Sequence, residues 1–443
     1  MFTAVFTAAD DALVTVVVVT YRGARFLDRC LDSVAEQDLA RQGRVACWVV
    51  DNASEDGTAD VLRARRDGVR VLRAPRNLGF AGGNNLALRE VTTRYAVLLN
   101  DDAVAGPGWL AGLLEPFDDP RVGAVAGKLL LRPRFLRVGV RVRGAARLGV
   151  DAVHRDGHDV TGAVPWDPLL AGPQPGPTRW CAPEVDLLVP LAGDEPRLPQ
   201  PLRLVLDLRA EQPGVVEVEG REHPLGPWGE RVAVDVPPGV ATVDVLNSAG
   251  TVLHPDGSAG DRGFGRVDDG SYDAPLEVFG GCGASLALRT AALRDVGLFD
   301  DDWFLYYEDV DLCWRLRRRG WVVHYAPASV ARHEHSASAG TRSDLHVFHD
   351  QRNRLLTLAK NASLPLVART VGRFPLTTAA GVVRALRPAG PGAHLTVLRL
   401  RVLGSALRLL PRVLARRRRV QRTAVVPRRA VEAWLGWHVG TPR

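Results

Sequence analysis

Three uninterrupted apolar runs constrain the fold most: LVTVVVVT (13–20), VACWVVDN (45–52) and YAVLLNDD (95–102). Their interiors are continuously apolar, mostly β-branched or aliphatic, instead of alternating with polar residues, so each strand must be covered on both faces. The intervening stretches FLDRCLDSVAEQ, TADVLRARR and NNLALREV are amphipathic, VRVLRAP reads as a further strand, and WLAGLLEPF follows the last run. Such alternation predicts a parallel sheet with helices on both faces, a doubly wound α/β half-domain. Ligands of such sheets bind beyond the carboxyl ends of the strands. The residues of interest are therefore Thr20 and Tyr21, Asp51 and Asn52, Asn77, and Asn100 to Asp102.

At 443 residues, with 46% hydrophobic and 24% charged residues, the chain is long enough for several domains. Between about Arg132 and Ser248 prolines multiply and short alternating runs follow closely: VDLLVPL, LRLVLDL, VVEVEG, RVAVDV and TVDVLN. That pattern predicts a small antiparallel sandwich inserted into the α/β domain. After Tyr272 come helical and turn signals in GGCGASLALRTAALRDVG, a strand WVVHYAP, and a long helix from about Ser343 to Ala362. The expected divisions are 1–131, a nucleotide-binding half; 132–248, the β insert; 249–362, an acceptor and catalytic half; and 363–443, a basic helical tail.

The net charge of +7 is concentrated in that tail, where 16 arginines from Arg369 onward face one acidic residue, Glu432. Its stretch HLTVLRLRVLGSALRLLPRVLARRRR interleaves arginine with leucine and valine, and no stretch offers about 18 uninterrupted apolar residues. A helix that lies on an anionic membrane is expected, with a solvated basic tail as the plainer alternative. No nucleic-acid motif accompanies the charge, so no nucleic-acid partner is expected. Five scattered cysteines without a CxxC pair argue against a disulfide framework or structural zinc and fit a reducing compartment. The amino terminus carries no basic leader.

Four constellations can carry chemistry. Asp101 and Asp102, placed directly after a buried strand, suit a hard divalent cation such as Mg²⁺ or Mn²⁺, or else form a polar turn. In VVDNASEDGTADVL, Ser54 and Asp56 suit helix capping, whereas Asp51 is free to accept a hydrogen bond from a pyrimidine N–H or a ribose hydroxyl. In RNLGFAGGNN, Gly79, Gly82 and Gly83 permit close backbone approach before a helix, with neither GxGxxG nor a P-loop present. His333 and His335 follow a strand and suit either a third metal ligand or an exposed loop. The segment YYEDVDLCWRLRRRG (306–320) has acidic residues in a first helical turn, arginines in the last, and Gly320 as a stop; alone it makes a well-capped helix.

The order of these motifs resembles family 2 glycosyltransferases of the rhamnosyltransferase-like and galactofuranosyltransferase-like cell-envelope branch. VVTYRGARFLDRCLDSV, VVDNASEDGT, NLGFAGGNN, LLNDDA, FGGCGASLALR, FDDDWFLYYEDVDLCWRLRRRGW, YAPASVARH and QRNR succeed one another over roughly 13–131 and 249–362. The resemblance implies an α/β GT-A fold, here with an inserted all-β sandwich and a C-terminal basic helical region. It implies inverting transfer from a nucleoside diphosphate sugar, of the dTDP-rhamnose or UDP-sugar type, to a glycan or polyprenyl-linked acceptor. The expected place is the cytoplasmic, inner face of the plasma membrane.

By the same resemblance Thr20, Tyr21, Asp51, Asn77 and Gly79 hold the nucleoside. Asn100, Asp101, Gly283 and Trp303 line the substrate cleft, and Asp102, with Asp101 and His333, holds the cation. Asp309 is the general base and Glu308 positions the acceptor. The departure from the family pattern is the long insert, which would bind carbohydrate, mediate association or merely decorate the fold. The alternative from another class is a non-catalytic polyanion- or membrane-binding scaffold with a degenerate GT-A domain; a degenerate relative would lack Asp102 or Asp309, and both are present.

Overall fold

The computed structural model describes residues 6–65, 68–165, 178–334, 343–385 and 393–436. They fall into two compact units: Met1–Leu129 with Ser248–Arg262 and Asp273–Arg443, and Leu130–Asn247 with Gly263–Tyr272.

In the first unit the strand Val14–Thr20 pairs in parallel with Val45–Asp51 on one side and Tyr95–Asn100 on the other. The register sets Thr20 opposite Asp51 and Val19 opposite Asn100, so three strand ends lie level at one edge. Arg70–Arg73 extends the parallel set beyond Val45–Asp51. The continuous runs are explained by burial: all seven residues of Val45–Asp51 are enclosed.

Beyond Tyr95–Asn100 the sheet continues with Ser285–Arg289, Val122–Leu131, Val322–His333 and Leu276–Glu277. Here two sequence expectations change. SLALR, read among helical and turn signals, is an antiparallel strand whose five residues are all buried between Tyr95–Asn100 and Val122–Leu131. Tertiary burial overrides the helix propensity of Leu and Ala, and a helix begins only at Thr290. The strand expected at WVVHYAP runs on to His333, because Ala331, Arg332 and His333 pair with Ala105, Val104 and Ala103.

The helix Asp344–Asn361 starts at Ser343, whose hydroxyl accepts from the His346 N–H. It packs against the long helix Ala393–Thr423, of which Leu398, Val402, Ala406 and Val413 are buried. The helix Glu308–Arg318 ends with Gly320 in the left-handed region, φ +86°. Its later side chains are structural. Asp311, fully buried, accepts from Arg315 Nε, Lys360 Nζ and Asn361 Nδ2 at 2.8–2.9 Å. Arg315 also donates to the carbonyls of Val296, Gly297 and Leu298. Lys360 completes the buried node by donating to Asp300 Oδ2 at 2.9 Å. Among the described residues, no helix is long and apolar enough to cross a membrane.

The second unit is a β sandwich. One sheet places Leu202–Ala210 between Leu148–Arg155 and Glu230–Val236, all antiparallel. The other places Phe135–Arg143 between Glu184–Pro190 and Gly214–Val218. Period-2 alternation turns Val138, Val140 and Val142 toward Leu204, Leu206 and Leu208, and these form one buried cluster. Residues 263–272 belong to this unit although they follow the last alternating run.

Candidate active site

The level strand ends of the first unit carry a row of polar residues stitched to each other through their loops. Thr20 and Asp51 are buried and Tyr21 is half-buried. Asp51 Oδ1 accepts from the Ser54 N–H at 2.9 Å, and the Arg22 N–H donates to Ser54 Oγ at 3.0 Å. Gly23 is pressed against this row: a Cβ there would lie 2.1 Å from Asp101 Oδ2 and 2.3 Å from Thr20 Oγ1. Asn77 Oδ1 accepts from Asn52 Nδ2 at 3.0 Å and from the Gly79 N–H at 2.8 Å. Asn52 also donates to the Gly79 carbonyl and accepts from the Leu78 N–H, so it fixes the whole turn. Gly79 has φ +72°, and a Cβ would lie 2.3 Å from the Phe304 carbonyl oxygen.

At the end of Tyr95–Asn100 the acidic pair is buried. The Asp101 carboxyl is pushed up to about 7, first by burial and then by the neighbouring Asp102 charge. Asp102 Oδ1 lies 3.1 Å from His333 Nε2, and Asn100 Nδ2 lies 3.1 Å from the same nitrogen. The strand pairing and the Glu334 N–H donating to the Asp102 carbonyl place the imidazole there. Burial pulls the imidazole pKa down, but Asp102, Asp261 and Asp101 outweigh it and raise it.

The second carboxylate pair is presented by a strained loop. Phe304, Tyr306 and Tyr307 all have φ between +63° and +68°, a region that non-glycine residues rarely occupy. Asn353 Nδ2 reaches the carbonyls of Trp303, Leu305 and Tyr306 at 2.7–2.8 Å, and Arg352 Nη2 reaches those of Asp302 and Trp303. The QRNR motif thus clamps the loop that delivers Glu308 and Asp309. Asp309, partly exposed, accepts from the Gly283 N–H on Oδ2 at 3.1 Å and from the Val310 N–H on Oδ1 at 2.7 Å. Burial raises its carboxyl despite these amides. Glu308 is raised well above the usual carboxylate range by burial and by the Asp309 charge.

Asp261, absent from the sequence reading, links the two carboxylate groups. It ends the short strand Ala259–Asp261, opposite Thr251. Its carboxyl is pushed up to about 6, first by burial and further by Asp309, while Ser248 and His333 act against the rise. Asp261 therefore stands within electrostatic reach of both His333 and Asp309. A short strand between glycine-rich turns carries no periodicity that could have marked it, whereas Asn353 was already visible inside QRNR. Trp303 does not line the cleft: it is fully enclosed, and its indole N–H donates to Thr357 Oγ1 at 2.7 Å. His335 lies outside the described residues.

Among the described residues, no three His, Cys, Asp or Glu side chains are gathered so as to hold a cation by themselves. The Asp102 and His333 donors nevertheless fit two adjacent positions on one, since adjacent octahedral ligands at about 2.1 Å lie roughly 3 Å apart and these donors are 3.1 Å apart.

The Glycosyl transferase family 2 model matches residues 15–156, and the Glycosyltransferase like family 2 model matches residues 277–356. The chain belongs to glycosyltransferase family 2 and is a glycosyltransferase, built of an α/β unit, a β sandwich and C-terminal helices.

Among its relatives, the N-acetylglucosaminyl-diphospho-decaprenol L-rhamnosyltransferase of Mycobacterium tuberculosis is 23% identical over 360 residues, covering 79% of this chain and 84% of that protein. The pre-mycofactocin glycosyltransferase of the same organism is 30% identical over 100 residues, 20% of this chain and 21% of that protein. Among solved structures, GalNAc-T7 with UDP, GalNAc and Mn²⁺ has a TM-score of 0.46 at 11% identity, covering 88% of this chain and 54% of that one. The mannosyltransferase PcManGT from Pyrobaculum calidifontis, in complex with GDP-Man and Mn²⁺, has a TM-score of 0.43 at 15% identity, covering 92% and 89%.

Proposed function

We propose that this glycosyltransferase moves a sugar, with inversion, from a nucleoside diphosphate donor to a polyprenyl-linked cell-envelope acceptor. The observation that carries the reading is the pairing of an Asp102–His333 donor set with an Asp309–Glu308 pole, joined by Asp261 in one unit. The rhamnosyltransferase relative, whose name gives a decaprenol-linked acceptor, supports a deoxysugar donor of the dTDP-rhamnose type and a lipid-linked acceptor.

In this reading Thr20, Tyr21, Asp51, Asn77 and Gly79 seat the nucleoside. Asn100, Asp101 and Gly283 line the sugar side. Asp102 and His333 would hold Mg²⁺ or Mn²⁺, which supplies positive charge against the departing diphosphate. Asp309 takes the proton of the acceptor hydroxyl as its oxygen bonds to the anomeric carbon. The bond from that carbon to the diphosphate oxygen breaks, and the nucleoside diphosphate leaves. Glu308, beside the base, positions the acceptor. The arginine-rich C-terminal helices lie on an anionic membrane at the cytoplasmic face of the plasma membrane.

The test is metal-dependent hydrolysis of dTDP-, UDP- and GDP-sugars, followed by transfer from the productive donor to a polyprenyl diphospho-sugar. A chain that stabilises none of these nucleotides and hydrolyses none of the donors would overturn the reading.

A further inference from the structure

A cavity of about 580 Å³ in the first unit shares no lining residue with the cleft described above. Four arginines meet on it, Arg354, Arg369, Arg373 and Arg399, against two carboxylates, Asp256 and Asp350. Three of the guanidinium groups are held in place. Arg354 Nη2 donates to the Asp256 carbonyl at 2.8 Å and to Asp256 Oδ2 at 3.0 Å. Arg369 Nη2 donates to the Pro255 carbonyl at 2.8 Å. Arg399 donates to Thr377 Oγ1 at 2.6 Å and lies 4.1 Å over the Phe374 ring. Arg373 is exposed and makes no side-chain hydrogen bond or ion pair with a described residue. The cavity thus has two more cations than anions, displayed as planar forks suited to phosphoryl oxygens.

The two helices that line it also carry exposed apolar residues. Leu376 and Val383 follow Arg373 at i+3 and i+10 on the helix Arg373–Ala385, and they are 71% and 60% exposed. On the helix Ala393–Thr423, Val397, Leu400, Leu407 and Leu414 recur every three or seven residues and are exposed, whereas Leu398, Val402, Ala406 and Val413 are buried. A cationic cavity whose two lining helices also carry bare leucine and valine suits a ligand with a phosphorylated head and a hydrocarbon chain.

The cavity is also tied to the base. Pro255 and Asp256 sit in the turn between Thr251–Leu253 and Ala259–Asp261, and the second strand ends at Asp261, within electrostatic reach of Asp309. Five residues of chain span at most about 18 Å. Tyr307, two residues before Asp309, accepts from the Ala259 N–H in the same hairpin at 3.0 Å.

We propose that the arginine-lined cavity binds the phosphate or diphosphate of a lipid-linked acceptor, with the exposed apolar faces of the two helices taking its hydrocarbon chain. The proposal rests on the transfer to a lipid-linked acceptor described above and adds the site that recognises the lipid head.

The test uses the full chain with farnesyl diphosphate, farnesol and inorganic pyrophosphate as probes, and an Arg369→Ala/Arg373→Ala variant. The thermal shift on adding dTDP or UDP serves as the folding control. Farnesyl diphosphate should bind the parent chain more tightly than either of its parts, and about tenfold or more weaker to the double variant. Lysine at both positions should restore part of the loss, because charge returns without the fork.

Equal affinity of parent and variant would overturn the proposal, as would displacement of farnesyl diphosphate by nucleotide. Pyrophosphate binding as tightly as farnesyl diphosphate would leave a site for free phosphate and reject the lipid. A loss confined to phosphatidylglycerol vesicles, with farnesyl diphosphate binding intact, would assign the arginines to bulk membrane and reject the cavity. Failure of the unaltered chain to hydrolyse any donor would count against the transfer reading, and the binding measurement would still decide the cavity.

Discussion

The Gly283 N–H donates to Asp309 Oδ2 at 3.1 Å, so the proposed base is aimed by a backbone amide from a segment 26 positions away in the chain. Together with the Val310 N–H on Oδ1, it fixes the carboxylate. Asp309→Asn keeps the shape and loses the base. Transfer should fall by roughly 100- to 10,000-fold with nucleotide binding unchanged. Turnover near the parent's with the true acceptor would sink the assignment.

The pH profile follows from the same carboxylate. Burial raises the Asp309 carboxyl, so the ionised, proton-accepting form is lost as pH falls through a value above the ordinary carboxylate pKa of about 3.9. The acidic limb of kcat/KM should therefore lie above that value. A limb at or below it, measured with a saturating second substrate, would contradict the environment described for Asp309.

Gly23→Ala should separate binding from folding. Its new methyl group would fall against Asp101 Oδ2 and Thr20 Oγ1, side chains at the cleft, and Gly23 itself does not need the left-handed region. Donor affinity should drop at least about tenfold while Tm changes little. A large fall in Tm with donor affinity intact would show that Gly23 serves the fold instead.

Chelation and Asp102→Ala should both suppress donor binding, because each removes a contributor to the cation site. Titrating nucleotide into chelated and metal-reloaded protein checks this. Donor affinity indifferent to both treatments would reject the Asp102–His333 site.

Asp311→Ala should destabilise the fold by about 3–5 kcal/mol, since it leaves Lys360 and Arg315 buried without their shared acceptor. The Asp311 carboxyl is held down at about 2: burial works to raise it, but Lys360 and Arg315 outweigh burial. A depressed folded-state pKa contributes stability that is present above the unfolded value of about 3.9 and lost as pH falls toward about 2. Asp300, raised by burial, works in the opposite direction. Denaturant midpoints across pH 2–5 for parent and variant measure the difference, and superimposable curves would dismiss the network.

The parallel strands were legible because continuous β-branched runs have few alternatives, and so was the helix from Ser343, with its capping hydroxyl and long apolar period. SLALR was not, since its composition is helical and only its place between two buried strands makes it extended. The site divided in the same way. Asp102 and Asp309 stand at motif positions, whereas Asp261 is brought near them by a three-residue strand whose pairing spans no recognisable pattern. Trp303, placed in the cleft only by resemblance, is fully enclosed, which the sequence alone does not reveal.

The burial of Lys360 has a practical corollary. Of the 57 basic residues only Lys128 and Lys360 are lysines, both are almost fully enclosed, and both are paired with aspartate. A succinimidyl ester added to the native chain meets no accessible ε-amine. Lysine-directed cross-linkers will therefore be silent about any partner. Stoichiometric acylation of the two side chains instead becomes a mass-spectrometric clock for global opening.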